Sequence, residues 1–177
     1  MRALGSQLAG LLRAGDLVIL VGDLGAGKTT LVQGIGAGLQ VRGPVTSPTF
    51  VIARVHPSLS AGPNLVHADA YRLASPAEVD DLDLDASLDR SVTVVEWGGG
   101  MAEGLAADRL EVTITPSRGP AAPGGSVTGE DIGAGEDGSG AAGEAQLRVV
   151  RVAGLGERWE SAGESALLAR LTGPEAV

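Results

Sequence analysis

The 177-residue chain is 44% apolar, enough for one domain with a core of its own. Its formal charge of −9, from 22 acidic and 13 basic side chains, would repel a phosphate backbone, which argues against direct nucleic-acid binding. The absence of cysteine excludes disulfides and thiolate metal sites, and Gly5, Gln7, Gly10, Arg13 and Asp16 break up the N-terminal apolar residues so that no signal-peptide core or membrane span runs through them. A soluble cytoplasmic protein is expected.

In chain order, Leu4, Leu8, Leu11 and Leu12 recur at helical spacing, which predicts a short amphipathic helix within residues 2–14, stopped by Gly15 and Asp16. Leu17 to Val21 is a continuous apolar run of strand length, as expected of a strand buried on both faces. After a glycine-rich turn, Leu31, Val32, Ile35 and Leu39 share one face of a second helix; Gly34, Gly36 and Gly38 weaken it, each by about 1 kcal/mol relative to alanine. Short strands are predicted at Thr49 to Val55 and at Leu65 to Val66, and a helix start at 75–78, where Ser75 caps, Pro76 fits the first turn and Glu78 completes a capping box. Val92 to Val95 reads as another buried strand, closed by Glu96, and Leu110 to Thr115 as the next.

Residues 116–146 change character, with nine glycines, five acids and one arginine, and with Val127 and Ile132 as their sizeable aliphatics. Such a segment buries too little surface to order itself and is expected to be a flexible insertion. Leu147 to Val152 resumes the strand pattern and is expected to pair with 110–115. A closing helix from Glu157 to Leu171 would bring in Trp159, Leu167, Leu168 and Leu171. The fold class expected is α/β, a three-layer P-loop NTPase-like domain over 1–177 with a mainly parallel sheet and a C-terminal antiparallel hairpin.

The stretch from Gly22 to Thr30 holds Lys28, the single lysine in a chain with twelve arginines. It fits G-x-x-x-x-G-K-[ST] and lies between a buried strand and a helix, the context that pattern requires. Asp23, Leu24, Gly25, Ala26 and Gly27 would curve their backbone N–H groups around a phosphate, Lys28 would reach the outer phosphates, Thr29 would ligate Mg²⁺, and Thr30 would follow at the helix start. A compact ammonium suits so tight a loop where a guanidinium would not. The lack of an N-K-x-D element, since the one asparagine, Asn64, precedes Leu65, favours ATP over GTP.

Magnesium needs a second anchor, usually a carboxylate at a neighbouring strand end. Glu96 ends the most hydrophobic strand and is assigned to the metal, directly or through water; Asp69 is assigned to positioning or deprotonating the attacking water, and on the sequence alone the two roles are exchangeable. Residues 46–50, TSPTF, set Ser47 and Thr49 in a loop that would close over the γ-phosphate, although an ordinary turn fits the spacing equally. Phe50, Tyr71 and Trp97 stand beside these motifs, for core packing or for a partner. Asp81, Asp83 and Asp85 alternate as in a calcium loop, but Ala86 and Val92 occupy positions that require glycine and glutamate. His56 and His67 lack zinc spacing and read as structural, with His67 close in sequence to Asp69.

Together GDLGAGKTT, SPTF, HADAYRL and VVEWGG, in this order and spacing, resemble the TsaE (YjeE) family of small bacterial P-loop ATPases over residues 2 to about 115. The resemblance implies a part in making the threonylcarbamoyladenosine modification of tRNA, with ATP hydrolysis serving the partner proteins TsaB and TsaD, tRNA met only through that complex, and no membrane. It also implies that Lys28 and Thr29 hold phosphate and Mg²⁺, that Glu96 is the second metal ligand, that Asp69 is needed for hydrolysis, and that Ser47 and Thr49 lie in a mobile loop. Family members usually carry a strand ahead of the first helix, which Met1 nearly abuts here, and their turn after 115 is usually shorter. A small-molecule kinase and a non-catalytic ATP switch compete with this reading; against the kinase, the insertion offers a lid only Arg118.

Overall fold

The computed structural model describes residues 1–116 and 147–160. The elements are α1 (Arg2–Ala9), β1 (Leu17–Val21), α2 (Lys28–Gly38), β2 (Ala53–His56), β3 (Asn64–Asp69), α3 (Pro76–Asp80), β4 (Ser91–Glu96), β5 (Arg109–Pro116), β6 (Arg148–Leu155) and α4 (Glu157–Glu160), with 3-10 turns at Ala70–Arg72, Leu84–Arg90 and Glu103–Leu105. One six-stranded sheet has the order β2-β3-β4-β1-β5-β6, in which β3, β4, β1 and β5 run parallel and β2 and β6 pair antiparallel at the two edges. The expected mainly parallel sheet with a C-terminal antiparallel hairpin is therefore present.

Period-two alternation divides the central strands between two cores. Val18 and Leu20 pack with Leu31, Val32 and Ile35 of α2 and Leu8 of α1, whereas Leu17 and Ile19 pack with Val79 and Leu84 on the opposite face. The first four of the five β1 side chains are fully buried, each worth about 1.5–3 kcal/mol, which is why this strand reads as an unbroken apolar run.

The glycines that count against α2 on propensity are where α1 lies against it. A Cβ on Gly34 would run into the Arg2 carbonyl, and one on Gly38 would come within 2.5 Å of the Ala9 methyl. Their absence lets the two helices meet backbone to backbone, and that packing offsets the lost propensity. At the other end of the chain, Arg158 donates from Nε and Nη2 to the two carboxylate oxygens of buried Asp16, which also accepts from the Arg13 amide. This pair fastens α4 to the α1–β1 turn, with Trp159 seated against Gly154.

Several boundaries differ from expectation. Helix α1 ends at Ala9, after which Leu11 and Leu12 continue in turns. The strand predicted over Thr49 to Val55 begins only at Ala53: the Pro48 carbonyl accepts from both the Val51 and Ile52 amides, which curls 48–52 into a turn. Conversely, the strand predicted at Leu65 to Val66 extends over Asn64–Asp69. Ser75 precedes α3 but makes no side-chain cap, and Glu78 accepts from the Ala74 amide instead of closing a box on Ser75. The insertion predicted at 116–146 falls outside the described residues from 117 on, as does the closing helix beyond Glu160, including Leu167, Leu168 and Leu171. Among the described residues no helix is long and apolar enough to cross a membrane.

Candidate functional site

Chain topology opens a crevice at the C-terminal ends of the parallel strands. The connection from β1 through α2 passes β4 and β3 to reach the edge strand β2, while the connection from β4 passes beyond β1 to β5, so the two leave adjacent strands in opposite directions. Ligand sites in open α/β sheets form outside the strand ends at such a point. Register fixes what is presented there: Leu20 pairs with Glu96 and Glu96 with Asp69, so the two carboxylates stand at one level on adjacent strands, a strand spacing of about 4.8 Å apart in backbone. Both lie on the α2 side, because Leu65, His67 and Asp69 alternate onto one face of β3, and Val92, Val94 and Glu96 onto the same face of β4.

The loop from Gly22 to Gly27 bridges β1 and α2 above these groups. Gly25 and Gly27 have φ of +76° and +104°, the left-handed region that a side chain resists. Gly27 is the N-cap residue that precedes α2, and no side chain caps the first amides of the helix. From the first position of α2 the Lys28 side chain folds back along the loop, donating to the carbonyls of Gly22 at 2.7 Å and Asp23 at 3.0 Å, with its Nζ 3.7 Å from the centre of the Trp97 ring. Lys28 is buried, and desolvation pushes its pKa below the usual lysine value against the opposing pull of Glu96, Asp69 and Asp23.

Thr29, next along α2, donates its hydroxyl to Glu96, with Oε1 at 2.9 Å and Oε2 at 3.1 Å. Glu96 Oε1 also meets His67 Nε2 at 2.8 Å. Asp69 has different partners. Its Oδ2 accepts from Thr49 at 2.5 Å and from Ser47 at 3.2 Å, the two hydroxyls being 2.6 Å apart, and its Oδ1 accepts from the Tyr71 amide. Glu96 is thus tied to the helix and Asp69 to the 46–50 loop.

These groups enclose a cleft of about 410 Å³. Of the predicted residues, Leu24, Gly25, Gly27, Lys28, Thr29 and Thr30 line it from the loop and α2, and Ser47, Thr49, Asp69 and Glu96 from the other side. Asp23 and Ala26 do not line it: Asp23 serves through its carbonyl, and Ala26 is buried in the α2-side core. Tyr71 and Trp97 also line the cleft, their ring centres 5.1 Å apart. Trp97 holds a left-handed backbone, φ +59°, which costs a non-glycine residue about 1–3 kcal/mol and sets its ring between Lys28 and Tyr71. The sequence offers these aromatics core packing or a partner surface, where the structure has them lining the cleft, and it reads His67 as structural. The alternation His67, Asp69 against Val94, Glu96 is the signal that could have joined His67 to Glu96.

Among the described residues no group of three His, Asp or Glu side chains is arranged to hold a metal ion. The oxygens that Thr29 and Glu96 offer are instead of the kind and number that suit a hard cation sharing its shell with water and phosphate.

A strand, a glycine loop wrapped by a lysine, and a helix whose first turn meets the carboxylate at the end of an adjacent parallel strand define a P-loop NTPase-like fold. The family model described as threonylcarbamoyl adenosine biosynthesis protein TsaE matches residues 1–120, and the chain belongs to that family. A Streptomyces coelicolor protein named tRNA threonylcarbamoyladenosine biosynthesis protein TsaE is 55% identical over 168 residues, covering 94% of this chain and 99% of that one. The Mycobacterium leprae protein of the same name is 50% identical over 63% of this chain and 74% of its own. The crystal structure of YdiB from Bacillus subtilis superposes with a TM-score of 0.59 at 25% identity, over 94% of this chain and 86% of that chain.

Proposed function

We propose that this chain binds ATP with Mg²⁺ and hydrolyses it as a component of the machinery that makes threonylcarbamoyladenosine in tRNA, where turnover resets a complex of the TsaB and TsaD proteins. The observation that carries the reading is the convergence of Lys28, Thr29, Glu96 and Asp69 on one cleft from three separate elements. The names of the relatives supply the pathway. The net charge of −9 suits a chain that meets tRNA through partners and not by its own surface.

In this reading the left-handed glycines and the uncapped start of α2 aim amide N–H groups at the β- and γ-phosphates, and Lys28, already folded over the loop, adds a point charge beside them. Thr29 and Glu96 would hold Mg²⁺, directly or through water. The ion would supply positive charge that neutralises what builds on the phosphate oxygens. Asp69 accepts hydroxyl hydrogen bonds in the present geometry and would orient an attacking water the same way. That water's oxygen bonds to the γ-phosphorus, the bond to the bridging β–γ oxygen breaks, ADP and phosphate leave, and the water proton passes to Asp69 or solvent. Ser47 and Thr49, now on Asp69, belong to the loop that would cover the γ-phosphate.

The test is ATP turnover with and without TsaB, TsaD and tRNA, for the wild type and for Asp69→Asn. The variant should bind ATP within about threefold of wild type and lose turnover by about 10²–10⁴-fold, the usual worth of a positioned base. Wild-type protein that binds ATP but releases no phosphate even with all partners present would make it a switch and not an ATPase.

A further inference from the structure

His67 is fully buried on β3, one side-chain step below Asp69 on the face that meets α2. Its Nε2 lies 2.8 Å from Glu96 Oε1, and its Nδ1 has no hydrogen-bond partner among the described residues. A carboxylate only accepts, so the ring nitrogen facing it carries the proton. A buried histidine present for packing alone would be expected to satisfy both nitrogens or to be replaced by an apolar residue, because an unpaired buried polar atom costs stability. Here one nitrogen goes unpaired while the other is spent on a single carboxylate oxygen.

That oxygen is the one that needs a second donor. Glu96 has the longer reach of the two strand-end acids, with several rotamers open to it, and it is itself buried. Its partner Thr29 spans both oxygens with one hydroxyl and fixes neither by itself. The bond from β3 pins Oε1, so Glu96 is held from two elements, by the Thr29 hydroxyl on α2 and by the His67 ring on β3. His67 and Glu96 sit on neighbouring strands and face each other diagonally, His67 level with Val94 and Glu96 with Asp69, so the pin is part of the sheet and does not depend on the 46–50 loop.

We propose that His67 is a positioning residue that fixes the Glu96 carboxylate for divalent-cation binding, an assignment that rests on the nucleotide and Mg²⁺ reading above. Because it acts on the cation side of the site and not on the phosphate cradle, its loss separates two affinities that a general structural defect would lower together.

The experiment measures ADP binding by calorimetry with excess chelator and again across a Mg²⁺ titration, for wild type, His67→Leu and His67→Gln, with thermal unfolding of each. Glutamine can place an amide N–H near the Nε2 position, whereas leucine keeps bulk without a donor. Expected for His67→Leu is a Mg²⁺ requirement raised about tenfold or more, the range typical of partners that orient metal ligands, with chelator-condition ADP affinity within about twofold of wild type. His67→Gln should recover most of the Mg²⁺ dependence. Equal loss in both conditions, no change in either, or identical behaviour of the two variants would overturn the assignment. Should the leucine variant fail to fold, a glutamine variant with an unaltered Mg²⁺ requirement supports the donor role, and one with an altered chelator-condition affinity refutes it. Wild-type protein that binds no ADP in either condition would instead overturn the nucleotide reading itself.

Discussion

Replacing the single lysine by the cation the chain uses everywhere else, Lys28→Arg, tests whether the loop requires a point charge. Nζ sits 2.7 Å and 3.0 Å from two loop carbonyls and 3.7 Å from the Trp97 ring centre, with the residue only 4% exposed. A guanidinium adds a planar group where the ammonium already touches backbone on one side and an aromatic face on the other. Two costs follow. Displacing the cation from the place it would hold beside the phosphates in the proposed reading forfeits a charge-assisted hydrogen bond of about 1.5–3 kcal/mol, or about 10- to 150-fold in ATP affinity. Forcing extra atoms into a filled space costs about 1–3 kcal/mol of stability, which for a domain of this size lowers the melting temperature by about 2–4 °C per kcal/mol.

Lys28→Met separates the two effects. It keeps the aliphatic stem and removes the charge, so it incurs the loss of affinity without the overpacking. Burial depresses the lysine pKa, which means the buried charge is disfavoured there, and its removal should leave the melting temperature unchanged or higher. Fluorescence titration with ATP gives the affinity and circular dichroism gives the melting curve. The expected pattern is weak binding in both variants and lowered stability in arginine alone. An arginine variant that binds ATP within about threefold of wild type would refute the argument from shape.

Gly34→Ala should lower stability by about 1–3 kcal/mol in urea unfolding despite alanine's propensity gain of about 1 kcal/mol, because the new methyl meets the Arg2 carbonyl of the facing helix; a stabilised variant would mean that the helices are not in backbone contact. His56 on β2 is buried, and desolvation holds its pKa below the usual histidine value. Its stabilising contribution is therefore fully present above the unfolded pKa of about 6.5 and is lost as pH falls from there through the lower folded value, where the unfolded chain binds the proton first. Melting temperature should decline across that interval in wild type and decline less in His56→Phe; parallel slopes would exclude His56 as the cause.

What the sequence shows most directly are features set by neighbours in the chain. Leu17 to Val21 followed by Gly22, and Gly27 followed by Lys28, specify strand, loop and helix within about a dozen residues, and period two carries Glu96 to a strand end. The features it hides are long-range. Thr49 and Val51 have strand-forming side chains, yet Pro48 turns the backbone and Asp69, twenty residues on, draws the Thr49 hydroxyl toward the cleft. The Gly34 and Gly38 of α2 lower its helix propensity because that scale cannot register the helix packed against them. His67 reads as an unremarkable buried residue until β3 and β4 are set in register, when Glu96 becomes its neighbour.

The same register bears on the two acids, whose roles sequence alone left exchangeable. Glu96 is held by Thr29 and His67, both on regular elements packed in the core, so its position is set by the fold. Asp69 Oδ2 is held by Ser47 and Thr49, on a segment without regular structure whose Phe50 and Val51 are exposed. A group fixed by helix and sheet suits a cation that must sit in one place relative to the phosphates. A group whose partners lie on a loop can exchange them for a water when that loop shifts. In the proposed reading, breaking the Ser47 and Thr49 bonds to Asp69 Oδ2 is the step that would free the base, so Ser47→Ala and Thr49→Val together should release Asp69 from the loop in the nucleotide-free protein while leaving the Mg²⁺ requirement, read in an ADP titration, as it is.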